Sequence, residues 1–368
     1  MDKVHVIKNT VVYYEPGMFG GWPANAGVWS WGNEILVGFH LGYYREYPDT
    51  HCVDRDRPIT IALARSLDGG ETWTVEHNHD INKLNTEEGK PVSGEGINFA
   101  HPDFALKVGK STVSIKNRTF MVSYDRGHTW EGPYNLPQYE GEMTARTDYI
   151  VEGPKSCLLF LSQNMKGIDC IHYSDRAFAV RTDDGGLTWE MLGYITDDPA
   201  RSVMPSTVSL PDGTLVTALR RRRDTLLVSP EEAEKIKAEG GKPPCNQDNW
   251  IEIRGSYDRG RTWEFFTRGA VTSTVGHNGN PPAMVALPDG RLVLAYGYRG
   301  PVSAIKARIS EDGGKTWGDE IILRDDARTH DIGYPRMVVR PDGKLVTIYY
   351  YTTKDMPEQH IEATIWQP

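Results

Sequence analysis

Short apolar runs alternate with polar positions along this chain, and they come in pairs around tight turns. Residues 284–287 and 292–295 are one such pair, with Pro288-Asp289-Gly290 between them. A period of two predicts strands, and Pro and Asp beside Gly predict a hairpin turn, because Gly reaches the left-handed backbone region without a Cβ clash. The same signal stands at Trp31-Gly32-Asn33, Val108-Gly109-Lys110, Gly153-Pro154-Lys155, Pro211-Asp212-Gly213 and Pro341-Asp342-Gly343, which makes six hairpins. A helix start stands at Ser229-Pro230-Glu231-Glu232, a capping hydroxyl followed by Pro and early acids, and the helix should end at Gly240-Gly241.

A second pattern, S/T-x-D-x-G-x-T-W, runs through residues 66–73, 123–130, 182–189, 256–263 and 310–317, with successive starts 57, 59, 74 and 54 residues apart. Its residue types explain a turn: the Asp accepts from backbone N–H groups ahead of it, Gly supplies a left-handed residue, and the Trp anchors the loop. We read it as structural and place no catalysis on it. The helix accounts for the interval of 74. Repeats of this period signal solenoids, propellers or arrays. Six hairpins against five Asp-containing turns leave the last module short of an outer strand, which residues 4–14 can supply. The expectation is an all-β, six-bladed β-propeller forming one domain over residues 1–368, with a short helical insertion in the fourth blade. In the second blade, residues 104–108, 111–115 and 119–123 are expected as its first three strands.

Propeller geometry sorts the loops. Turns after the first and third strands of a blade share one face, so the Asp-containing turns lie with the tight hairpins. The opposite face collects the long polar segments, and function is expected there. Segments on that face are rich in Arg, His, Asp and aromatic residues, which suits a carbohydrate-sized ligand. His101 and His277 are expected as substrate contacts there, and Asp54, Asp56, Asp103, Asp148 and Asp331 as its carboxylates.

Composition narrows the partners. A net charge of −9 argues against nucleic acid, and no apolar run approaches the ~20 residues of a membrane span. Cys52, Cys157, Cys170 and Cys245 lack metal or redox spacing and suit free thiols, so a cytoplasmic setting is expected. No metal motif and no cofactor loop stands out. Residues 229–249 offer a candidate surface for self-association.

The repeated Asp-containing turns resemble the Asp boxes, or BNR repeats, of the sialidase superfamily, and the resemblance spans nearly the whole chain. It implies the propeller fold and leaves the reaction to be argued from the site. Tyr334 in Tyr334-Pro335-Arg336-Met337-Val338-Val339-Arg340-Pro341-Asp342-Gly343 matches the position of the family's nucleophilic Tyr. Asp54 and Asp56 bracket the place of its acid/base Asp, with Arg45 nearest to the arginine that precedes it. Two members of the family's carboxylate clamp correspond to Arg220 or Arg222 and to Arg299.

Two departures are plain. The family's R-I-P arginine is replaced by Gly21-Trp22-Pro23, and Met204-Pro205 stands where the Glu that activates the Tyr belongs. An ordinary Tyr, with a pKa near ~10, is a poor nucleophile at neutral pH. The expectation is an exo-acting glycoside hydrolase that releases a terminal sugar, not necessarily sialic acid. A polysaccharide lyase acting on a uronate-containing glycan, with Tyr334 and a His as acid and base, and a non-catalytic glycan-binding propeller stand beside it.

Overall fold

The computed structural model describes residues 5–47, 50–77, 80–109, 118–144, 146–171 and 173–368. Six antiparallel sheets follow one another along the chain and form the blades of a six-bladed β-propeller. Blades three, four and five each have four consecutive strands, as in Pro282–Ala286, Leu292–Tyr298, Ala304–Ser310 and Ile321–Arg324 of the fifth. The sixth takes Gly333–Val339, Leu345–Tyr351 and His360–Gln367 from the end of the chain and His5–Tyr13 from its start. The N-terminal strand, anticipated over residues 4–14, runs over 5–13 among the described residues and pairs with the last strand.

The first two blades depart from the regular plan. In the first, both Met18–Gly21 and Val28–Trp31 pair with Glu34–Tyr43, with the short helix Pro23–Ala26 between them. In the second, Ala105–Val108 pairs directly with Thr119–Ser123, which pairs in turn with Glu131–Asn135. The expected strand at 111–115 and the turn residue Lys110 lie outside the described residues. Residues 105–108 thus hold the position next to the third strand, antiparallel to it, not that of an inward-running first strand.

Each Asp-containing turn closes through the same contacts. In the first, Ser66 Oγ donates to Asp68 Oδ1 at 2.8 Å, Thr72 N and Oγ1 donate to the two carboxylate oxygens at 2.9 and 2.6 Å, and Trp73 Nε1 donates to the Gly70 carbonyl at 3.0 Å. The turns around Asp125, Asp184, Asp258 and Asp312 repeat the Ser/Thr–Asp–Thr links. At Trp189 alone the indole N–H finds no partner among the described residues.

The helix is Pro230–Ala238, with Ser229 Oγ accepting from Glu232 N at its start and Gly241 N donating to the Ile236 carbonyl at its end. It caps a lengthened hairpin: Leu215–Leu226 and Cys245–Ser256 are 12-residue strands paired along their full length. Much of the added chain is therefore extra strand, projecting on the face opposite the Asp-containing turns.

Candidate active site

Three residues share an unusual backbone: one precedes a short helix, and two lie within inner strands. Trp22, Met204 and Tyr334 have φ of 56°, 57° and 49°, and each immediately precedes a proline. A residue before proline avoids the right-handed helical region, and the left-handed one costs a side-chain-bearing residue roughly 1–2 kcal/mol. Tyr334 is held there by Asn280, a fully buried side chain whose Oδ1 accepts from Tyr334 N at 3.0 Å. Register breaks at Val203/Ser206 and Gly333/Arg336 turn the two later residues out of their sheets.

Tyr334 forms part of the wall of two adjoining chambers. One, of about 420 Å³, is also bounded by Trp22, Asn25, His40, His51 and Arg55. The other, of about 470 Å³, is bounded by Asn25, Glu142, Tyr173, Asp175, Arg201, Met204 and Arg220. Tyr334 and Asn25 belong to both, so the two form one mouth with the phenol at the partition.

The Tyr334 hydroxyl lies 3.0 Å from Arg220 Nη1, with the guanidinium 5.6 Å from the ring centre. Burial would raise this phenol's pKa, but Arg220, Arg299 and Arg201 together hold it below the ordinary tyrosine value. Arg220 is itself buried, and its Nε and Nη2 find no partner among the described residues. Arg201 donates from Nε to Asp175 Oδ2 at 2.5 Å and lies 4.0 Å from the Tyr173 ring centre, while its Nη1 also lacks a partner among the described residues.

On the other side of Tyr334 stands a His–Asp pair. His51 Nδ1 is 2.6 Å from Asp331 Oδ1, and the His51 ring centre is 6.1 Å from that of Tyr334. The Tyr350 hydroxyl donates to the same Asp331 oxygen at 2.6 Å, and Arg299 Nη2 donates to Tyr350 Oη at 2.8 Å. Burial works to raise the Asp331 pKa, yet His51, Arg299 and Tyr350 bring it down to about 2. Asp331 is therefore a firm carboxylate. At 2.6 Å it is the stronger partner of His51 Nδ1, which the Trp22 indole N–H approaches at 3.3 Å, and it leaves Nε2 as the nitrogen facing no carboxylate among the described residues.

Several sequence expectations need relocation. Asp54 and Asp56 are tied to Arg45, at 3.6 and 3.1 Å, and Asp56 and Arg45 are largely exposed. Their loop folds back on itself through Arg45 N to the Cys52 carbonyl and Asp54 N to the Tyr43 carbonyl. It offers His51 and Arg55, not the two acids, to the chamber. Arg299 is buried beneath the mouth, donating to the Asn278 and Ile332 carbonyls and to Tyr350. It supports the His–Asp pair and is absent from both chamber walls. Arg222 is held by Asp224 at 2.7 Å, whereas Arg220 reaches the chamber.

His101 and Asp103 lie at the opposite end. Asp103 Oδ1 accepts from Arg126 Nε at 2.6 Å, its carbonyl accepts from Arg126 N, and His101 packs on Tyr124, both partners belonging to the second Asp-containing turn. The reversed direction of residues 105–108 is the cause. Asp148 bounds a separate cavity with Trp29, Trp31 and Arg336. His277 stacks on His330, ring centres 3.5 Å apart, beside Asn278 and outside the two chamber walls.

No family model and no curated protein matches the chain. Solved structures do. A Dyadobacter fermentans protein of unknown function is 22% identical, with both chains fully covered and a TM-score of 0.69. An α-L-arabinanase of Penicillium chrysogenum, in complex with arabinobiose, is 14% identical over 99% of this chain and 98% of its own, with a TM-score of 0.60. The NanB sialidase of Streptococcus pneumoniae is 12% identical over 97% of this chain and 70% of its own, with a TM-score of 0.55. The chain thus shares its six-bladed, sialidase-like propeller fold with them.

Proposed function

We propose that the chain is an exo-acting glycoside hydrolase that removes a terminal sugar bound at the Tyr334 mouth. The observation that carries this reading is the Tyr334 phenol, set at the partition of the two chambers and bonded to Arg220 at 3.0 Å. Arginine here takes the role that a neighbouring Glu fills in the resembling family: by stabilising the phenolate, it makes the oxygen a competent nucleophile. Tyr334 Oη attacks the anomeric carbon as His51 Nε2 passes its proton to the departing glycosidic oxygen. His51 then takes a proton from water, which releases the sugar from Tyr334 and restores both groups. Asp331 orients the imidazole and stabilises its charged form. An α-L-arabinanase and a sialidase share the fold, which supports carbohydrate as the ligand class and leaves the sugar open.

A screen of aryl glycosides tests the reading. Tyr334→Phe should lower kcat/KM on the accepted glycoside by at least about 10²-fold and His51→Ala by a similar factor, the usual worth of such groups. Asp54→Asn together with Asp56→Asn should leave it within about threefold, since those acids face Arg45. Wild-type turnover in Tyr334→Phe would refute the proposal.

A second reading is favoured by the Arg201 and Arg220 guanidinium groups in the chamber wall, whose charge could neutralise a uronate carboxylate for β-elimination with Tyr334 and His51 as acid and base. New ultraviolet absorbance from an unsaturated product would select it over hydrolysis. Saturable glycan binding with neither product would instead leave a binding module.

A further inference from the structure

The face of the Asp-containing turns has an opening of its own. A cavity of about 320 Å³ lies there, walled by Trp29, Trp31, Phe104, Tyr149, Asp148 and Arg336. Its position follows from its neighbours: Trp31 precedes the hairpin glycine Gly32, and Phe104 follows Asp103, which bonds the second Asp-containing turn. Two buried guanidinium groups link the blades beside it. Arg146 Nη1 reaches the Met204 and Pro282 carbonyls, and Arg336 Nη2 reaches those of Ala24 and Thr147.

Two charged side chains in the cavity wall are nearly buried. Asp148 is only 9% exposed, and its Oδ2 has no hydrogen-bond partner among the described residues. Arg336 is 7% exposed, and its Nε likewise has none. Those two atoms are themselves closed off, so a ligand in the cavity meets the remaining surface of the two side chains. A carboxylate and a guanidinium in the wall of an aromatic-lined pocket suit a neutral polyol: hydroxyls donate to the one and accept from the other, while ring C–H groups pack on the aromatics. A free anion would meet the Asp148 carboxylate, and a cation would meet Arg336 and Arg146. The volume is at the small end of ligand pockets, which run from ~300 Å³ upward, and fits one sugar unit.

We propose that this cavity is a second carbohydrate site, separate from the Tyr334 mouth, which takes a single neutral monosaccharide unit between Asp148, Arg336 and the Trp29–Trp31 wall. It stands whether or not the mouth hydrolyses glycosides. The test is intrinsic tryptophan fluorescence of the full chain titrated with D-galactose, D-xylose and L-arabinose, and with the matching homodisaccharides. Expected is a saturable change with at least one sugar, weakened at least tenfold in Trp31→Ala and in Asp148→Asn and unchanged in Tyr334→Phe. Preference for the monosaccharide marks a free-sugar site, and equal or better binding of the disaccharide marks capture of a chain end. Trp31 is partly exposed, so its variant remains informative if Asp148→Asn fails to fold. To exclude a fluorescence effect of the lost indole, calorimetry on the same variant should show the same weakening. No saturable change with any of these sugars, or binding lost in Tyr334→Phe and kept in Trp31→Ala, would overturn the proposal.

Discussion

Tyr334 sits where burial and charge pull its proton in opposite directions, and three arginines decide the outcome. Removing the nearest should reverse it. In Arg220→Met the phenol loses both its hydrogen bond and the largest neighbouring positive charge, so its pKa rises. If the phenolate is the reacting form, the limb of the pH profile on which kcat/KM climbs with pH should move to higher pH. An unmoved limb with only a lower plateau would make Arg220 a substrate contact and nothing else. Asp148 poses the mirror problem. Burial pushes its carboxyl up to about 6, although Arg146, Arg336 and Thr207 draw it down. An acid whose folded pKa lies above its unfolded value contributes stability below about pH 4, and that contribution is lost as pH rises through 6. Relative to Asp148→Asn, which cannot titrate, the wild type should therefore lose up to about 3 kcal/mol between pH 3.5 and 7, the worth of a shift of about two units. Urea denaturation of both proteins across that range would check the sign. His51 and Asp331 were harder to read from the chain than Tyr334 or Arg220. The two pair across 280 positions, and nothing local in the loop sequence distinguishes His51 from the charges around it.

The elements that deliver these side chains share a left-handed residue followed by proline, at the start of the helix Pro23–Ala26 and within the strands Arg201–Ser209 and Gly333–Val339. Trp22-Pro23, Met204-Pro205 and Tyr334-Pro335 were all visible in the chain, but a residue before proline ordinarily reads as extended. The left-handed turn comes from packing, above all from Asn280 under Tyr334. Gly333 makes that packing possible. It has φ of 108°, and a Cβ there would meet Asn280 Oδ1 at 2.2 Å. Gly333→Ala should thus push Asn280 from the Tyr334 N–H, lowering the melting temperature and costing at least about tenfold in kcat without touching ligand. Equal loss of stability with normal kcat would mean that the Tyr334 backbone does not need this support. The Asp-containing turns were fully legible, because every contact that closes them runs within eight consecutive residues. The second blade was not. Residues 104–108 have the apolar pattern of any inner strand, and only their pairing with Thr119–Ser123 reverses them and carries His101 away from the mouth.

At the scale of the whole ring, the sites depend on closure, because His51 belongs to the first blade and Asp331 leads into the sixth. The joint between those blades is made by the strand His5–Tyr13, which pairs with His360–Gln367 and also reaches forward to the first blade. Thr10 Oγ1 donates to the Gly70 carbonyl at 2.9 Å, Trp73 Nε1 approaches Thr10 Oγ1 at 3.3 Å, and Lys8 pairs with Glu71 at 2.9 Å. The exposed ion pair is worth little. The backbone ladder and the buried Val12 and Tyr13 carry most of the stabilisation. Removing residues 1–13 would leave His360–Gln367 as an unpaired edge and uncover the apolar residues beneath. The truncated chain should melt roughly 5–10 °C lower, and His51 should lose its register with Asp331, so activity on any accepted glycoside should fall further than bulk stability at assay temperature requires. A synthetic peptide of residues 5–13 added in excess should restore both in part, since the same ladder can form between separate chains. A truncated protein with the parent melting temperature and activity would show that the ring holds without its seam, and that the His–Asp pair is positioned within its own loops.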